Sequence, residues 1–173
     1  MPAPTNRARR RPAPWLIAAT LLVTGCAAPA PDPSLVGSRT RICGDRVDTT
    51  QAEAVTGREV ATLRELSTFE TGRRVGTCAL RDPDGAAVLA VEVVHDPQGK
   101  ALGAELEQLS TEEHYQGDDS SGVTGDGRST TALRAIDDTS YVRVLGLGGT
   151  SEHQRSAAAG LAQDLATRSA TLK

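Results

Sequence analysis

His95, His114 and His153 are the only imidazoles in the chain, so acid–base and metal chemistry is sought there first. None lies in H-E-x-x-H or at ligand spacing from another, so a His-based metal site requires distant residues to converge. His95 closes a predicted strand and His153 falls in the first turn of a predicted helix, which favours surface or capping roles. Asp118-Asp119-Ser120-Ser121-Gly122 through Asp126 is the one oxygen-rich cluster. Asp118, Asp119 and Asp126 are its candidate ligands for calcium, which takes about six to eight oxygens. The EF-hand frame is missing, with no glycine at its sixth position and no closing Glu. Asp, Ser and Gly are also the ordinary residues of a solvated turn, and that reading is preferred. Gly146-Leu147-Gly148-Gly149 before a helix offers free amides to an anion, but Glu152 in the first turn would repel one. It reads as strand-to-helix turn chemistry, and Arg73-Arg74 as a solvated turn. No G-x-S-x-G elbow, S-x-x-K or Walker loop occurs. No catalytic residue, cofactor or metal is therefore assigned.

The cysteines carry more information. Leu22-Val23-Thr24-Gly25-Cys26 follows a positive region (Arg7, Arg9, Arg10, Arg11) and an apolar run from Trp15 to Val23. That run is shorter than the ~20 residues of a permanent membrane helix. The order is that of a secretory signal, and it closely resembles a bacterial lipobox. The resemblance implies a signal peptide over 1–25, cleavage after Gly25, and acylation of the Cys26 thiol and then of its new amine. Cys43 and Cys78 are then an even pair in an oxidising compartment, for which a disulfide is the default and two buried free thiols the alternative. Neither has a neighbouring His or a C-x-x-C partner, which argues against a catalytic thiol.

Without residues 1–25 the chain has 148 residues, enough for one domain with a core. Four arginines and no acid leave with the signal, so the formal charge moves from -3 to -7. An acidic domain without a basic stripe argues against nucleic acid and against electrostatic attraction to anionic lipid headgroups, which would repel its surface and leave the lipid to hold the membrane. Only Phe69, Tyr115 and Tyr141 remain as aromatics, so the core must be aliphatic and stacking platforms are hard to build.

The elements that position these residues follow from patterning. Residues 26–40, with Pro29, Pro31 and Pro33, read as a Pro/Ala-rich tether that does not pack. Residues 41–173 read as a single α+β domain. Asp48-Thr49-Thr50 offers N-caps, with Thr50 to Glu53 as a capping box, for a short helix stopped by Gly57. Glu59 to Phe69 fits either helix or strand. Val75–Leu80 and Ala87–His95 form a hairpin about Asp82-Pro83-Asp84-Gly85. The second of these strands is apolar on both faces, as a central or covered strand is. Asp96-Pro97 starts a helix with Leu102, Leu106 and Leu109 on one face and Glu105, Glu107, Glu112 and Glu113 toward water. Gln116 to Thr130 reads as a long loop, with a short strand at Val123 as its one exception. Thr131–Ile136 and Tyr141–Leu147 form a second hairpin. Ser151 to Gln154 is a capping box opening an amphipathic helix through Ala158, Leu161, Ala162, Leu165, Ser169 and Leu172. The expected fold is an antiparallel sheet built from hairpins with helices packed on it.

With Cys43 before the Thr50–Gly57 helix, Cys78 opening a strand pair, and Val123-Thr124-Gly125-Asp126-Gly127 before a hairpin, the chain resembles small actinobacterial lipoproteins of unknown function. The resemblance implies a secreted, disulfide-tied α+β domain and supplies no catalytic residue. The leading expectation is a non-enzymatic lipoprotein on the outer face of the cytoplasmic membrane, binding or scaffolding an envelope component. One rival is a carrier or sensor of an apolar small molecule held between the sheet and the Leu102/Leu106/Leu109 helix. Another is an enzyme whose dispersed site brings His114 or His153 to an acid and a nucleophile.

Overall fold

The computed structural model describes residues 33–149 and 151–172, so the signal and Cys26 lie outside the described residues. In chain order the elements are β1 (Ser34–Leu35), β2 (Arg41–Ile42), β3 (Val47–Asp48), α1 (Thr49–Thr56), β4 (Arg64–Ser67), β5 (Gly76–Arg81), β6 (Ala87–His95), α2 (Ala101–Leu109), β7 (Gln116–Asp118), β8 (Ser121–Gly125), β9 (Ser129–Asp137), β10 (Ser140–Leu147) and α3 (Glu152–Ala170). Eight strands form one antiparallel sheet in the order β1-β4-β5-β6-β10-β9-β8-β7, and β2 and β3 make a separate small hairpin. The fold is α+β, with helices packed on the sheet and a helix at its C-terminal end. Apart from the short non-local pairing of β1 with β4, two runs of local pairing meet at one seam, where β6 pairs with β10 from Ser140 opposite His95 to Gly146 opposite Leu89.

The main core lies between the sheet and the pair α1 and α3. Ser151 caps α3 by accepting the Gln154 N–H, and the Gln154 side chain accepts the Ser151 N–H in return. The 3.6-residue spacing then buries Ala158, Leu161, Ala162, Leu165, Ala166 and Ser169. Val91, Val142 and Val144 meet this layer from the sheet, each fully buried. Each such Val or Leu removed from water contributes roughly 1.5–3 kcal/mol. Phe69 is the one ring in this core, with the Arg46 guanidinium carbon 4.5 Å from its centroid.

Several boundaries differ from the sequence expectation for identifiable reasons. The capping box of α1 uses Asp48 and Gln51, not Thr50 and Glu53: Asp48 accepts the Thr50 N–H at 2.9 Å. Glu59 to Phe69 resolves into a 3-10 turn at Val60–Thr62 followed by β4. Helix α2 starts at Ala101, because Gly99 at φ +66° breaks the turn that Asp96 opens. Asp96 still acts as an acceptor there, for the N–H groups of Gln98, Lys100 and Ala101. The expected loop from Gln116 to Thr130 is instead β7, β8 and the start of β9. The end of the expected tether also packs: β1 pairs with β4, and Val36 is 1% exposed with its N–H donating to Leu63 O.

Candidate functional site

The second face of the sheet is covered only in part. Leu106 and Leu109 of α2 pack on Leu133 and Tyr141, with Leu102 and Tyr115 partly buried around them. The rest of that face, across β4, β5 and β6, carries no element among the described residues. Antiparallel register sets Glu92 directly opposite Arg143, and α2 lowers Glu105 onto the same spot. Arg143 Nε donates to Glu92 Oε2 at 2.9 Å, and its Nη1 donates to Glu105 Oε1 at 3.3 Å. Tyr141 OH donates to Glu105 Oε1 at 2.5 Å.

Partial burial and then the bond to Glu105 hold the Tyr141 phenol protonated well above its ordinary range. Burial alone pulls the Arg143 guanidinium down, but its bonds to Glu92 and the charge of Glu105 outweigh that and raise it. At neutral pH Tyr141 is therefore a neutral donor and Arg143 a cation. The network anchors α2 to the sheet through polar contacts where the sequence reading had placed Glu105 in water.

Beside the network lies an open cleft of about 570 Å³. Ala90, Leu109 and Leu145 give it an aliphatic floor, and Glu92, Glu105 and Glu112 outnumber Arg143 on its walls. Its volume falls in the range of ligand sites, ~300–1,000 Å³. Sequence periodicity contained a signal for Glu105: it stands three residues after Leu102 and four before Leu109, inside the helix's apolar stripe.

The structure ties Cys43 to Cys78 in a disulfide with a Cα–Cα distance of 5.4 Å. Both residues are buried. Glu65 lies beside them, its Oε1 accepting the Cys43 N–H at 2.8 Å and its Oε2 lying 3.0 Å from Arg39 Nη1. Cys43, Glu65 and Cys78 are the one trio of such ligand groups close enough to share an ion among the described residues. Their sulfurs are bonded to each other, which removes both thiolates from ligation.

The calcium candidates are not brought together. Asp118 sits before β8 and accepts from Ser120 N–H, Ser120 Oγ and Ser121 Oγ, which holds its carboxyl down at about 2. Asp126 follows β8 and accepts from the Arg128 and Ser129 N–H groups, also with a lowered pKa. Each stabilises its own turn, with the strand between them. Asp119 lines a different cleft with Asp96, Asp137 and Asp138.

The histidines are also dispersed. His95 Nδ1 lies 3.2 Å from Ser140 Oγ, its cross-strand partner, but that serine is 3% exposed. His153, in the first turn of α3, lies past the far end of β10, ~23 Å along that strand. His114 is exposed after α2 at φ +63°. No family model matches the chain, and no curated protein or solved structure matches it.

Proposed function

We propose that the chain is an extracytoplasmic lipoprotein, anchored through lipid on Cys26, that acts as a non-enzymatic binding or scaffolding module of the cell envelope. The observation that carries the binding role is the half-covered second face, where the aliphatic floor of Ala90, Leu109 and Leu145 lies open beside α2. The disulfide agrees with an oxidising compartment, and the resemblance to small actinobacterial lipoproteins points the same way. In the host, Cys26→Ala should release the protein to the soluble fraction or leave it unprocessed. A photo-crosslinking residue at position 145 should trap an envelope protein, and one at position 163, on the exposed side of α3, should not. Unchanged anchoring would overturn the lipid reading, and equal trapping at both positions would overturn the binding face.

The aliphatic floor also favours a second reading, a carrier of a small apolar molecule. Native mass spectrometry of the protein from its host separates the two, because a carrier shows a reproducible added mass that Leu145→Glu removes.

A further inference from the structure

The edge of the sheet where the chain enters has a chemistry of its own. Leu35 on β1 is 61% exposed, the most exposed large apolar side chain described. Register places it directly opposite Arg64 on β4, and Arg64 directly opposite Arg81 on β5. Opposed residues of antiparallel strands project to the same side, so Leu35, Arg64 and Arg81 form one exposed row across the edge. Like charges facing each other across strands are unfavourable, and Arg64 has no ion-pair partner among the described residues. Among the described residues Arg81 donates only to the Gly85 carbonyl, at 2.7 Å. Arg39 lies beside the row and donates to Leu35 O at 3.0 Å, with its charge paired to Glu65. Of the carboxylates beside this row in sequence, Glu65 faces the core and Asp82 pairs with Arg58, leaving Asp84 on the turn.

The opposite end of the sheet has the reverse character. There Asp96, Asp119 and Asp138 line one cleft together with Asp137, which is paired with Arg74. It lies about eight residues along β6 from the arginine row, or ~26 Å. The molecule is thus polarised along its strands.

We infer that the row of Leu35, Arg64 and Arg81 is the surface that rests on an anionic bilayer. The inference rests on the lipid-anchor reading, because it takes the tether as what brings this edge close. Only six residues lie between Cys26 and Pro33, and Pro33 leads straight into β1. Fully extended they reach at most ~25 Å, so the anchored edge stays within that distance of the bilayer. Headgroup phosphates supply the acceptors that Arg64 and Arg81 lack, and Leu35 enters the interface between them. The acidic end is repelled and points outward, away from the membrane plane. Net charge of the whole domain opposes adhesion, yet its distribution orients the domain once the lipid holds it.

The processed chain contains no tryptophan, since Trp15 precedes the cleavage site, so a substituted one is a unique reporter. The lipidated full chain carrying Leu35→Trp is reconstituted in vesicles of phosphatidylglycerol or phosphatidylcholine with brominated acyl chains. In the anionic vesicles the emission should shift to the blue and be quenched at least twofold. Arg64→Glu with Arg81→Glu, or 0.5 M salt, should abolish the effect. Val75→Trp, exposed beside the acidic end, should stay unquenched. An anchored protein quenched no more at position 35 than at position 75, or equally in both lipids, would overturn the orientation. A protein that floats with neither vesicle would overturn the anchor itself.

Discussion

Cys43 sits in the left-handed region at φ +58°, at the start of a tight turn, with its N–H held by the buried carboxylate of Glu65. The disulfide fixes that turn to β5 across a separation of 35 residues. In the chain-entropy model a loop of this size stabilises the fold by about 4 kcal/mol, a large share of the ~5–15 kcal/mol of an ordinary domain. Cys43→Ala with Cys78→Ala should therefore lower the unfolding free energy by about 4 kcal/mol, read from urea midpoints at constant slope.

Asp137 makes a separate prediction, in acid. The Thr139 N–H first, and then the Arg74 guanidinium, hold its carboxyl down at about 2, against an ordinary value near ~3.9. The fold thus favours the ionised form. The stabilisation is complete above the unfolded value and is lost as pH falls from about 4 towards about 2. Asp137→Asn should melt below the parent at pH 7, and the two melting temperatures should converge as pH falls through that window. A gap that stays constant down to pH 2 would show that the carboxylate's charge contributes nothing.

At the level of elements, Gly122 decides how α2 seats. A Cβ there would lie 2.8 Å from both Leu106 Cδ2 and Tyr115 Cε2, so the close approach of α2 to β8 requires glycine. Gly122→Val should cost about 1–3 kcal/mol by overpacking. It should also speed hydrogen exchange in α2 while leaving α3 unchanged. The same contact explains why residues 116–130 look like a loop. Glycine there signals close packing of Tyr115 and Leu106, a long-range fact that composition cannot report. The two long hairpins and α3 were legible because turn chemistry, alternation and a capping box all act within a few residues. The disulfide was legible from the parity of the cysteines and the compartment expected for them. β1 was not, since two residues carry no periodicity. The pairing of Glu92 with Arg143 needs the β6–β10 register, and Glu105 was assigned to water by residue type although its spacing placed it on the apolar stripe.

Taken whole, the molecule is a sheet with two unequal coats. One face is sealed by α1 and α3 over a core that runs from Val36 to Ala166. The other is held by four buried residues, Leu106, Leu109, Leu133 and Tyr141, and by the half-exposed Arg143 network. Half-exposed ion pairs contribute little, so α2 should be the less stable coat and open without global unfolding. In native-state hydrogen exchange at rising urea, α2 amides should exchange through an opening nearly insensitive to denaturant. Those of β6, β10 and α3 should follow the global transition. Leu106→Ala and Leu161→Ala each remove a buried leucine, at a cost of about 2–5 kcal/mol, but they should differ in reach. Leu161→Ala should lower protection across the whole slow set, whereas Leu106→Ala should act mainly on α2. If α2 amides instead merged with the global set in the parent protein, the cleft beside Leu145 would be rigid. A partner would then have to fit it as it stands. If they separate as expected, α2 can move without disturbing the disulfide-tied core, and the open face can change its width.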